Sequence, residues 1–199
     1  MSISFCRTSL IDHLYLNKYE QINIHKMWFS KLATIAVLTI VNLGHTAPKY
    51  DPAKIDKLIP AKLFAKTEAT QILGAATHLT DSVSKKEVSL STYLCGYKAD
   101  LADPKTGKIG AVYFLFEDYQ VIDGAIKRFS DVYLSNRTHG MVKVANLGDE
   151  AVYHTDNQNF DLMMVRKGKY IFNIKINSRT STSSVSELEK IVKKITKKI

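Results

Sequence analysis

Residues 159–177 read Asn-Phe-Asp-Leu-Met-Met-Val-Arg-Lys-Gly-Lys-Tyr-Ile-Phe-Asn-Ile-Lys-Ile-Asn, and they restrict the fold more tightly than any other stretch. In the second half Tyr170, Phe172, Ile174 and Ile176 alternate with Asn173, Lys175 and Asn177, and Ile171 falls among the polar set. A period of two is the pattern of a strand with one dry face and one wetter face. Gly168, inside Arg166-Lys167-Gly168-Lys169, supplies the positive φ of a tight turn. The stretch predicts two antiparallel strands folded across residues 166–169, in a sheet whose dry face another layer must cover.

The remaining elements supply that layer. Leu58-Ile59-Pro60 leads into a short helix that Thr67 can cap, with Glu68 at its positive end, Ile72 and Leu73 facing inward and Gly74 ending it. Residues 78–84 are polar and suit a weak strand or a loop. Residues 87–97 alternate as a strand, and Asp103-Pro104-Lys105-Thr106-Gly107 marks a turn. Residues 109–117 are apolar on both faces, so this strand belongs at the centre with cover on each side. Asp118 can cap the main helix, where Val121, Ile122, Ala125, Ile126, Phe129, Val132 and Tyr133 follow helical spacing. Short strands over residues 141–145 and 151–156 flank a corner at Asn146-Leu147-Gly148-Asp149-Glu150. Ser184 and Glu187 stand at capping-box spacing before a last helix. Its dry stripe is Val185, Leu188, Ile191, Val192 and Ile195. Consecutive strands punctuated by helices predict an α+β fold, an antiparallel sheet with helices packed on it.

The front of the chain has a different character. Residues 1–26 are polar, mixed and without periodicity, and are expected to be a non-native or disordered extension. From Met27, one lysine (Lys31) precedes a 12-residue apolar run at 32–43, followed by small residues to Ala47. That is the layout of a secretory signal. The run is short for a membrane-spanning helix, which needs roughly 17–25 apolar residues. Residues 27–47 are therefore expected to export residues 48–199, a single globular domain, to the periplasm or the medium. Pro48 fits a peptidase groove badly, so retention by an uncleaved leader is the variant of this reading. Without the leader Cys95 is the only cysteine, so neither an internal disulfide nor a cysteine zinc cluster can form.

Glu68-Ala69 through Ile72-Leu73-Gly74, Leu94-Cys95-Gly96-Tyr97, Leu147-Gly148-Asp149-Glu150-Ala151 and Lys167-Gly168 together resemble a set found in small exported bacterial proteins of unknown function. Many of those are lipoproteins, with a fold similar to the PsbP-like photosystem extrinsic subunits. The resemblance covers about residues 58–199 and rests on turn and packing glycines. It implies an α-β-α sandwich around an antiparallel sheet, with scaffold or binding roles in place of catalysis. The chain departs from many such relatives in having no lipid-attachment cysteine after the apolar run.

Chemical motifs are sparse. There is no Gly-x-Ser-x-Gly elbow, phosphate loop or dinucleotide fingerprint. Cys95 could meet His139 or His154 in space as an unrecognised hydrolase, but a lone strand thiol is more often a buried hydrophobe. His154 and Asp156 share one strand face, too weak a spacing to imply a metal. Glu117-Asp118 and Asp149-Glu150 are neighbours, and neighbours on a strand point to opposite faces, so neither pair implies acid–base work. No cofactor is expected and the chain is not expected to be an enzyme. The formal charge of +9 is concentrated toward the end, where Lys190, Lys193, Lys194, Lys197 and Lys198 crowd the last helix. A basic amphipathic helix can lie on an anionic membrane, so these five lysines are the candidate surface contact. The competing expectation is an ordinary helix docked on the sheet with its lysines in water. Tyr93, Tyr97, Tyr113, Phe114 and Phe116 could imitate a stacking platform for nucleic acid, but export argues against that partner. The expectation is an extracytoplasmic binding or scaffold protein for a protein or small-molecule partner.

Overall fold

The computed structural model describes residues 58–199. The expected extension at 1–26 and leader at 27–47 lie outside the described residues. Seven strands form one antiparallel sheet: β1 (Thr77–Lys86), β2 (Leu90–Ala99), β3 (Ala111–Tyr119), β4 (Val142–Lys143), β5 (Glu150–Thr155), β6 (Phe160–Lys167) and β7 (Tyr170–Asn177). Their order in space is β1-β2-β3-β7-β6-β5-β4. The helices are α1 (Lys66–Leu73), α2 (Ile122–Asn136) and α3 (Val185–Thr196). The fold is α+β, as the strand and helix pattern predicts.

The β6–β7 hairpin turns at Gly168, whose φ is +57°. Its register pairs Val165 with Phe172 and Met163 with Ile174, so the dry residues of both strands share a face. On that face α1 and α3 pack over Phe114 and Phe116 of β3, Phe172, Ile174 and Ile176 of β7, and Cys95 and Tyr97 of β2. Phe64, just before α1, stacks on Phe114 at 5.2 Å between ring centroids. On the opposite face α2 sets Ala125 and Phe129 against Val152, Met164 and Ile171. This explains the odd apolar residue of β7: Ile171 lies under α2, whereas Asn173 and Lys175 lie outside that cluster and are half-buried.

Several local expectations are corrected. Thr67 lies inside α1 and the N-cap is Ala65, whose N–H donates to Glu68 Oε2 at 3.1 Å. A carboxylate three residues into the helix thus replaces the side-chain cap. Asp118 does not cap α2, because β3 continues to Tyr119 and α2 starts after Val121. Asp118 instead pairs with Lys169 at 2.8 Å. Of the two alternatives for residues 78–84, strand or loop, the strand is the one formed: the ten-residue edge strand β1, longer than expected and exposed along nearly its whole length. Gly74 (φ +63°) ends α1 as expected. Ser184 accepts from Glu187 N–H at 3.2 Å and caps α3.

Asp103 stitches two loops together. Its carboxylate accepts from the N–H groups of Ser181 (2.6 Å) and Lys105 (3.0 Å) and from the hydroxyls of Thr106 and Ser181. Those donors stabilise the charged form and hold its pKa well below the usual carboxylate range.

Candidate binding site

The corner between β4 and β5 borders an open cleft. Leu147 is buried in the core cluster on the face that α1 and α3 cover. Gly148 follows with φ +64°, and a Cβ there would lie 2.6 Å from the carbonyl oxygen of Arg166. The close approach requires glycine. The Asp149 N–H donates to that same carbonyl at 2.9 Å. Asp149 Oδ2 accepts from the Gly168 N–H at 2.7 Å and from Arg166 at 2.9 Å, and Glu150 Oε2 accepts from Arg166 Nε at 2.7 Å. Arg166 is only 7% exposed, so two carboxylates compensate its burial.

The sequence expectation that Asp149 and Glu150 diverge is therefore corrected. Strand alternation applies only from Glu150 onward, because Asp149 precedes β5 in the corner. Both acids converge on one guanidinium, which ties the corner to the β6–β7 hairpin. The pair forms an ion-pair network with Arg166.

Beside this network is a cleft of about 330 Å³, lined by Phe129 of α2 and by residues 143–151. Phe129 and Leu147 give it apolar surface, while Lys143, Asn146 and Asp149 contribute polar groups. The Lys143 ammonium sits 5.1 Å from the centre of the Tyr133 ring, a cation–π contact that holds one side of the approach. Small-molecule clefts commonly begin at about 300 Å³ and combine apolar walls with a few polar groups.

The other sequence candidates fall elsewhere. Cys95 is fully buried, and its pKa is pushed up to about 11 by burial. It lies on β2, on the face that α1 and α3 together cover, whereas His154 lies on β5, four strands and roughly 19 Å away across the sheet. The structure does not bring these two together. His154 Nε2 hydrogen-bonds the carbonyl of His139 at 2.8 Å, and Asp156 Oδ1 accepts from the N–H groups of Gln158, Asn159 and Phe160. Both side chains are thus engaged in local structure. Among the described residues no group of three or more metal-ligating side chains converges.

The lysines of α3 line the outer side of the helix. Lys190 pairs with Glu187 at 2.7 Å, Lys193 with Glu189 at 3.9 Å and Lys194 with Glu68 at 2.9 Å. Burial pushes the Glu68 carboxyl up, but Lys194 and the N–H groups of Glu68 and Ala65 outweigh it and hold its pKa below the ordinary value. Lys197 and Lys198 are exposed. Leu188, Ile191, Val192 and Ile195 are buried against the sheet, so the dry stripe of α3 is already occupied. No helix among the described residues is long and apolar enough to cross a membrane.

Sequence reasoning missed two buried polar groups. Arg166 flanks a turn and reads as a solvated base. Asp161 is fully buried, accepts a hydrogen bond from Tyr153 at 2.5 Å, and faces Arg179 at 3.6 Å. Burial and that hydrogen bond push the Tyr153 hydroxyl up to about 12. The signal was present: Asp161 is in phase with Met163 and Val165, placing an acid on the dry face.

No protein family, curated protein or solved structure matches the chain.

Proposed function

We propose that residues 58–199 form a non-catalytic binding module that works outside the cytoplasm and takes a small, partly apolar ligand. The leader layout at 27–47 and the resemblance to small exported PsbP-like proteins support the location and the class. The cleft between Phe129 and the 143–151 corner carries the reading. Its position is fixed by the Arg166 network, so the walls are pre-formed and ordering costs little on binding.

Ligand-observed NMR with a library of small metabolites tests this directly. Compounds that bind the wild-type protein should lose binding in Ala145→Trp, which fills the cleft from its exposed rim. A library without hits, or hits indifferent to Ala145→Trp, overturns the reading. Export is tested by the intact mass of the protein from its own host: a mature chain beginning near residue 48 supports it, and a soluble cytosolic chain including residue 1 refutes it.

A second reading rests on the exposed Lys197 and Lys198 beside Lys190, Lys193 and Lys194. With the apolar stripe of α3 turned inward, contact with an anionic envelope surface is electrostatic and shallow, and salt should weaken it. Charge reversal at Lys193, Lys194, Lys197 and Lys198 should abolish binding to vesicles rich in anionic phospholipid. Unchanged binding, or none by the wild type, removes this reading.

A further inference from the structure

Among the described residues β1 ends the sheet, and its outer edge runs ten residues, exposed from His78 to Lys86. The opposite edge, β4, has only two residues. A long open edge offers its backbone N–H and C=O groups to another strand, whereas a very short one is protected. The occupant is indicated by the side chains of β1. Residues 81–85 read Asp-Ser-Val-Ser-Lys. Laid antiparallel on itself about Val83, this segment sets Val83 against the partner subunit's Val83 and serine against serine. Asp81 then faces the partner subunit's Lys85, and the match occurs twice. The register with β2 pairs Asp81, Val83 and Lys85 with Gly96, Leu94 and Thr92, so the valine and its flanking charges share one face of the extended sheet.

We propose that β1 is the interface of a two-fold homodimer, centred on Val83, that joins two seven-stranded sheets. Centring the pairing on Ser84 instead would oppose Asp81 to the partner subunit's Glu87. Centring it on Ser82 would set Asp81 against the partner subunit's Val83. Only the Val83 register matches both charge and hydrophobicity, and opposite charges across a strand pair favour it as like charges oppose it. Lys85 pairs within its own chain with Glu87 at 2.6 Å, but both side chains are more than half exposed, so exchanging that partner costs little. The irregularity between Leu79 and Asp81 ends the regular stretch just before Asp81. A two-fold uses both copies of β1 and, among the described residues, leaves only the two-residue β4 edges, so the assembly closes as a dimer and does not grow into a filament.

Sedimentation velocity of the purified full chain over a concentration series should show a monomer–dimer equilibrium. Asp81→Lys should raise the dimer dissociation constant by roughly tenfold or more, and Asp81→Lys with Lys85→Asp should restore it. In a Cys6→Ser background a short bismaleimide should link Val83→Cys chains. It should also link a mixture of Asp81→Cys and Lys85→Cys chains, and neither of those alone. A monomer at every concentration, a dimer indifferent to Asp81→Lys, or cross-linking of Asp81→Cys alone overturns the proposal.

Discussion

Phe114 and Leu115 are neighbours on β3, yet they belong to differently built halves of the molecule. Phe114 is fully buried, stacked on Phe64 and in ring contact with Tyr93, Phe116 and Phe172. Leu115 points to the other face, where it, Leu94, Tyr113 and Lys175 are only half-buried. Two helices close the first face. One helix covers the second, and its apolar flank is itself incompletely used: Ile122 and Ile126 of α2 are 48% and 42% exposed. Stability should therefore concentrate on the α1–α3 face, and the α2 face should be the softer side, where binding and change can be tolerated.

The largest contrast should appear in thiol chemistry. Cys95 is fully buried on the closed face, with its pKa pushed up to about 11 by burial. The thiolate is the reactive species, so labelling at pH 8 has to wait for the structure to open. Native Cys95 should react at least ~10³-fold more slowly than in denaturant, given typical domain stabilities. In a Cys6→Ser background, used for both proteins, Cys95→Ala with Leu115→Cys moves the thiol to β3 on the opposite face, where it should label in the native state within minutes. Equal protection of the two thiols would show the faces to be equally closed.

Next comes the mutational cost of each face. Phe114→Ala should destabilise by ~3–5 kcal/mol, because it leaves a cavity in a ring cluster with little room to collapse. Leu115→Ala should cost about 1 kcal/mol, as expected for a side chain that keeps part of its surface in water. Urea unfolding of both variants measures the difference. Similar values would break the comparison at its centre.

The closed face was largely legible in the sequence and the open one was not. Phe172, Ile174 and Ile176 announce a dry side through strict alternation, and Val185 to Ile195 announces the helix that covers it. Both patterns depend on local periodicity alone. Ile171 was visible only as an exception, because its explanation is α2, which is 35 or more residues away in the chain. β1 was hidden for the same reason. An edge strand exposed on both faces has no apolar phase to reveal it, and only pairing with β2 makes it a strand. Of the candidate site, the corner at 146–150 was legible from its glycine and acids. The cleft was not, because Phe129 comes from α2 and Arg166 from the far hairpin, and their meeting is a tertiary fact. The α3 lysines were legible as a charged face, and the structure adds that the apolar side of that face is already committed to the sheet.

The smallest expected effect lies at the edge of α2's cover, at Glu117. It is 4% exposed and faces Arg128 of α2 at 4.0 Å. Burial raises its pKa above the ordinary value, and neither Arg128 nor the hydrogen bond with Tyr119 cancels that effect. A carboxyl with a higher pKa folded than unfolded binds more protons in the native state, so its contribution to stability falls as pH rises through that window. The penalty should be absent at pH values below the ordinary glutamate range and fully developed above the raised native pKa. Glu117→Gln removes the titration and keeps the shape. The variant should gain stability relative to wild type as pH increases from 4 to 7, with a flatter urea-midpoint profile over that range. If it instead loses ground toward pH 7, the Arg128 ion pair outweighs desolvation. The α2 face would then be held by charge at the point where its apolar cover runs out, and its softness would depend on salt.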